Sequence, residues 1–133
     1  KTEVEYTAFS VSDFQKSMKF YDETLKILGI ERVVTVDTVE QRVAGYGKDG
    51  NASFFISAAT NDRSKEYVGK PRGAYGMFEA SSVEEVNAWY QKCLELGGVD
   101  NGKPGSHPEY SPTYYNAHII DPDDGRIESI FYY

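Results

Sequence analysis

The chain has 133 residues and a mass of 15.0 kDa, with 40% hydrophobic and 26% charged residues, the size and balance of one soluble domain with a core of its own. A net charge of −7 and a pI near 4.8 leave no basic stripe to displace counterions, which argues against nucleic acid as a partner. No run approaches the ~18 apolar residues of a membrane span, and the single cysteine, Cys93, excludes an intrachain disulfide framework.

Glu3 to Val11 alternates and is rich in Val, Tyr and Phe, so it reads as a strand. Ser12-Asp13-Phe14-Gln15 fits a capping box with Ser12 as N-cap. Phe14, Met18, Tyr21, Leu25 and Leu28 then fall on one helical face, and Gly29 supplies a left-handed stop. Arg32–Asp37, Gln41–Tyr46 and Ala52–Ala58 read as three strands, the last two joined by the turn Gly47-Lys48-Asp49-Gly50. Thr60 to Arg72 carries little apolar pattern and reads as a mobile linker.

Ala74–Ala80 restarts the pattern as a strand, followed by a second capping box at Ser82-Val83-Glu84-Glu85. Val83, Val86, Tyr90 and Cys93 share a helical face that ends at Gly97-Gly98, so Trp89, Tyr90 and Cys93 read as core. Asp100 to Pro112 reads as a long Gly/Pro/Tyr-rich loop, and Tyr114–Ile120 and Arg126–Tyr132 as the closing strands. Asp121-Pro122-Asp123-Asp124-Gly125 is too short for a calcium loop and reads as the turn between them.

The two halves are copies. At an offset of 69 residues Tyr6 meets Tyr75, Phe9 meets Phe78, Phe20-Tyr21 meets Trp89-Tyr90, Leu25 meets Leu94, and Gly29-Ile30 meets Gly98-Val99. The expected fold is α+β in a single domain: module 1 over about 1–60, linker 61–72, and module 2 over about 73–133. Each module wraps a curved mixed or antiparallel sheet over its helix, and the concave faces enclose a central cavity. With 11 Tyr among the aromatics, that cavity is expected to be apolar yet able to hydrogen-bond.

Val11-Ser12-Asp13, Ser17, Phe20-Tyr21, Gly73-Ala74-Tyr75, Phe78-Glu79-Ala80, Gly97-Gly98, the Pro108–Tyr115 segment, Asp121-Pro122-Asp123 and Arg126-Ile127-Glu128 together resemble the vicinal oxygen chelate superfamily of glyoxalase, bleomycin-resistance and extradiol-dioxygenase proteins. The resemblance covers nearly the whole chain. It implies paired βαβββ modules, a homodimer, and a cavity that usually holds a divalent metal, Zn, Ni, Mn or Fe, acting as a Lewis acid. Tyr6 and Tyr75 stand where the resemblance places a His or Gln ligand in each first strand, and Glu128 where it places the last-strand Glu. In module 1 the counterpart of Glu128 is Ser53 by the Asp-Gly match of the two turns, with Phe55 as the other register.

Tyr, Tyr, Ser and Glu make a poor divalent site, because a neutral phenol binds weakly and one carboxylate holds a metal badly. The expectation is therefore a small-molecule-binding protein with no cofactor, and the alternative is a lyase or isomerase of the glyoxalase kind, or a dioxygenase-like enzyme. In the alternative Glu128 is the proton acceptor, its pKa raised by burial, and Tyr75 is a general acid, with or without a metal on Glu128. The expected ligand-binding set is Tyr6, Ser53, Phe55, Tyr75, Met77, His107, Tyr110, Tyr115, His118 and Glu128. Within it His118 pairs with Glu128, and His107 and Tyr110 belong to a loop that closes as a lid. The expected partner is an aromatic or cationic small molecule, the surface acidity favouring the cation. No targeting pattern is visible, so the cytoplasm is the expected compartment.

Overall fold

One strand–helix–three-strand unit occurs twice in the computed structural model, which describes residues 7–58, 76–109 and 113–133. The first unit runs β1 (Thr7–Val11), α1 (Phe14–Ile27), β2 (Glu31–Asp37), β3 (Arg42–Lys48) and β4 (Asn51–Ala58). The second runs β5 (Gly76–Glu79), α2 (Val83–Glu95), β6 (Val99–Ser106), β7 (Tyr114–Ile120) and β8 (Arg126–Tyr132). Each forms a four-stranded mixed sheet, ordered β1-β4-β3-β2 and β5-β8-β7-β6, with the first strand parallel to the last and the other pairs antiparallel. Shifting β1 and α1 by 69 residues lands on β5 and α2, so the repeat is structural as well as sequential. The linker and the residues flanking it, 59–75, lie outside the described residues, as do Tyr6, Tyr75 and Tyr110.

The helices cover one face of each sheet and leave the other concave. Phe54 and Ile56 of β4 and Ala44 and Tyr46 of β3 point to α1 and are buried, with Tyr21 and Leu25 against them. In the second unit Ala117, Ile119, Ile127 and Ser129 meet Val86, Trp89 and Cys93 of α2. Phe54 links the two units: its ring lies 5.2 Å from Phe9, 4.9 Å from Tyr21 and 5.1 Å from Phe78. Phe9 and Phe78 meet it edge to face, and packing of that kind adds about 0.5–1.5 kcal/mol per pair beyond the buried area. Among the described residues no helix is long and apolar enough to cross a membrane.

A buried carboxylate joins the units. Tyr21 Oη donates to Asp121 Oδ2, while the amides of Asp123 and Gly125 donate to Asp121 Oδ1 at 2.9 and 2.7 Å. Next to it, Ser12 donates to Asp123 through its amide at 3.0 Å and its Oγ at 2.6 Å. A Cβ at Gly125 would meet Asp121 Oδ2 at 2.7 Å and Phe9 Cε2 at 2.9 Å, so the turn closes on Asp121 only with glycine there. Burial pushes the Asp121 carboxyl above its ordinary value against the pull of its three donors, and pushes the Tyr21 phenol up as well.

Two expectations are corrected here. Asp13, not Ser12, caps α1, with its carboxylate accepting from the Lys16 amide at 3.1 Å, because Ser12 is drawn to Asp123 in the other unit. The second cap stands at Ser82, whose Oγ accepts from the Glu85 amide. Residues 100–106, expected within a loop, belong to strand β6. It is an edge strand, where Pro104 and the irregularities around Gly102 interrupt only one side of the ladder.

Tyr21→Phe removes one donor from a buried carboxylate without changing the packing volume. It is expected to lower the unfolding free energy by about 1–3 kcal/mol in urea denaturation, and an unchanged midpoint would show that the pair does not stabilise the inter-unit contact.

Candidate functional site

Strand periodicity decides which side chains meet on the concave face of the second sheet. On β8, Ile127 and Ser129 face α2, so Glu128, Ile130 and Tyr132 face the other way. Cross-strand pairing sets His118 opposite Glu128, Asn116 opposite Ile130, Tyr114 opposite Tyr132, and Met77 of β5 beside Glu128. With His107, which follows β6, these residues line a cavity of about 440 Å³. A second cavity of about 410 Å³ includes Ser53, Lys48 and Glu79, and Met77 is a wall of both.

A polar chain runs along the floor of the first cavity. Glu128 is 5% exposed and Asn116 3%. Asn116 Nδ2 donates to Glu128 Oε2 at 2.6 Å, and His118 Nε2 stands 3.5 Å from Glu128 Oε1. Asn116 Oδ1 is buried with no hydrogen-bond partner among the described residues. Turning the amide over would set that oxygen against the carboxylate, so the observed orientation is the favourable one. His107 pairs through Nδ1 with Glu109 Oε1 at 3.1 Å at the rim.

The expected upward shift of Glu128 is corrected. Burial does push its carboxyl up, but the hydrogen bonds from His118 and Asn116 and the nearby imidazoles outweigh burial and hold it below the ordinary value. The hydrogen bond to Glu128 raises His118 above 6.5 against a smaller opposing effect of burial.

The structure brings together Met77, His107, His118 and Glu128 from the expected set. Ser53 lies in the neighbouring cavity. Tyr115 does not join them: it is out of phase with His118 on β7, faces the helix layer, and donates from its Oη to Asn87 Oδ1 of α2 at 2.7 Å. Tyr6, Tyr75 and Tyr110 lie outside the described residues. Asn116, Tyr114, Ile130 and Tyr132 went unpicked in the sequence, although each is in phase with His118 or Glu128 on its own strand.

The register also identifies the counterpart of Glu128 in the first unit. Phe55 pairs with Ala8 and Gly45 as Glu128 pairs with Met77 and His118. Ser53 has no β3 partner at a bulge in β4, and the β3–β4 ladder also runs one pair further towards its turn than the β7–β8 ladder, so matching the two Asp-Gly turns slips the hairpins by two positions. A Cβ at Gly45 would meet Phe55 Cε2 at 2.8 Å, so the ring lies directly over that glycine. The first unit thus fills with an aromatic ring the place where the second holds a carboxylate and an imidazole.

As metal ligands, Glu128 and His118 are two donors already bonded to each other, and among the described residues no three His, Cys, Asp or Glu side chains converge. A structural zinc takes four ligands and a catalytic zinc three plus water, so the described donor set does not fit one.

A His118 titration followed by NMR is expected to have its midpoint above 6.5 and to fall back towards 6.5 in Glu128→Gln. Because the folded value is the raised one, the pair's stabilisation is present below pH 6.5 and is lost as pH rises through the folded midpoint. Identical midpoints in the two proteins would contradict the pairing.

Residues 3–128 match the model of the Glyoxalase/Bleomycin resistance protein/Dioxygenase superfamily. Among solved structures, a glyoxalase/bleomycin resistance protein from Albidiferax ferrireducens T118 is similar at 24% identity and a TM-score of 0.72, covering 96% of this chain and 97% of that one. A glyoxylase/bleomycin resistance protein/dioxygenase domain from Frankia sp. EAN1pec is similar at 14% identity and a TM-score of 0.72, covering 100% and 93%. TnmS3, an antibiotic binding protein from Streptomyces sp. CB03234, is similar at 18% identity and a TM-score of 0.61, covering 100% and 98%. No functionally curated protein matches the chain.

Proposed function

We propose that this chain, which belongs to the glyoxalase/bleomycin resistance protein/dioxygenase superfamily, is a small-molecule-binding protein that holds an aromatic or cationic ligand in the concave cavity of its second unit without a divalent metal. The observation that carries the reading is the cavity floor. Its one buried carboxylate is engaged by Asn116 and His118, while Met77, Ile130, Tyr114 and Tyr132 supply apolar and aromatic walls. Such a surface suits capture better than coordination. The likeness in fold to an antibiotic binding protein is in keeping with it. A homodimer belongs to the same reading and rests on the family resemblance, and the cytoplasm is the compartment proposed with it.

A second reading, a lyase or isomerase of the glyoxalase kind, is favoured by one observation. Glu128 is an ionised carboxylate inside a cavity, where it can take a proton from a bound carbon acid.

Elemental analysis after loading with Zn, Ni, Mn or Fe, followed by a thermal-shift screen of aromatic and cationic metabolites, tests the reading. Substoichiometric metal and a ligand whose stabilisation is lost in Glu128→Gln are expected. Stoichiometric, tightly held metal that is lost in the same variant would overturn the metal-free reading. The absence of stabilisation by any compound would overturn binding.

A further inference from the structure

We propose, resting on the binding reading above, that the group recognised at the cavity floor is a cation bearing more than one N–H, an amidinium, guanidinium or primary ammonium, attached to a flat apolar body. Two acceptors on the floor keep capacity that the described residues do not fill. A carboxylate has about four lone-pair sites, and among the described residues Glu128 is engaged at two, by Asn116 Nδ2 at 2.6 Å and by His118 Nε2 at 3.5 Å. Asn116, which lines the same cavity, carries a second acceptor in Oδ1, buried and without a donor among the described residues. It gains most from a small shift of the amide towards an incoming N–H. Leaving such an oxygen unpaired in the interior is costly, so a ligand that pairs it is favoured.

Charge points the same way. The Glu128 side chain is 6% exposed, yet no Lys or Arg is among the cavity's described lining residues, and the groups there that can carry positive charge are the imidazoles of His118, whose side chain is 37% exposed, and His107. The cavity is therefore poor in positive charge around an ionised group. A ligand cation supplies what is missing, and a ligand anion meets repulsion. At the mouth, the Tyr114 and Tyr132 rings stand 6.3 Å apart at 67°, and Met77 is 49% exposed beside Glu128. Two ring surfaces and a thioether accept a flat apolar body and favour the cation it carries. A cation with two N–H groups can donate to Glu128 and, once the amide shifts, to Asn116 Oδ1, which a quaternary ammonium cannot do.

Four aromatic probes of similar size separate these requirements: benzamidine, benzamide, phenyltrimethylammonium and benzoate. Each is titrated calorimetrically into the full chain, with NMR shifts locating the site. Benzamidine is expected to bind at the floor about tenfold or more tighter than benzamide or phenyltrimethylammonium, and benzoate not to bind. Glu128→Gln is expected to cost benzamidine about tenfold while leaving benzamide unchanged; near-UV circular dichroism confirms that the variant is folded, and Glu128→Asp provides a second test if it is not. Benzamide or benzoate binding there as tightly as benzamidine, or benzamidine unaffected in both variants, would overturn the cation assignment and leave the binding reading intact. If none of the four perturbs the cavity, both fail.

Discussion

The buried Asp121 carboxylate holds the rest of this structure in place. It lies in the turn between β7 and β8 and accepts from Tyr21 of α1 and from the amides of its own turn. One group therefore fixes the hairpin that carries His118 and Glu128 and locks that hairpin to the other unit. Ser12 and Asp123 reinforce the joint from outside. A charge buried this deeply is tolerable only with its donors in position, so the arrangement specifies the joint more than it adds to net stability. The aromatic contact of Phe54 with Phe78 supplies the apolar part of the same joint.

Duplication explains why the site is where it is, and divergence explains why there is one. Both units have the same strand order, helix position and concave face. At equivalent places on those faces the first unit has Phe55 over Gly45 and the second has Glu128 beside His118. An aromatic ring packed over a glycine closes its own hollow. A carboxylate and an imidazole leave polar capacity that a bound molecule can use, and Asn116 holds the carboxylate from the side.

Much of this was legible in the sequence. The helices, the boundaries of most strands and the pairing of the two halves follow from periodicity and capping chemistry, and the His118–Glu128 contact follows from the facing strands. What the sequence left unread has physical causes. β6 is rich in Gly and Pro because it is an edge strand, so composition reads it as a loop. The bulge at Ser53 breaks the one-to-one match between the hairpins, so equal turn chemistry does not mean equal register. Tyr115 shows what strict period-two counting would have added, because it cannot share a face with His118. The Glu128 carboxyl lies below its ordinary value and not above it because folding brings it His118 and Asn116, whose effect exceeds that of burial.

Binding is proposed for the concave face of the second unit and not for its pseudo-equivalent in the first. Methyl-resolved NMR during titration with benzamidine tests this most directly, since Met77 and Ile130 report on one face and Val36 and Val43 on the other. Saturable shifts are expected at Met77 and Ile130 with Val36 and Val43 unmoved. Shifts centred on Val36 and Val43, with Met77 and Ile130 still, would contradict the assignment.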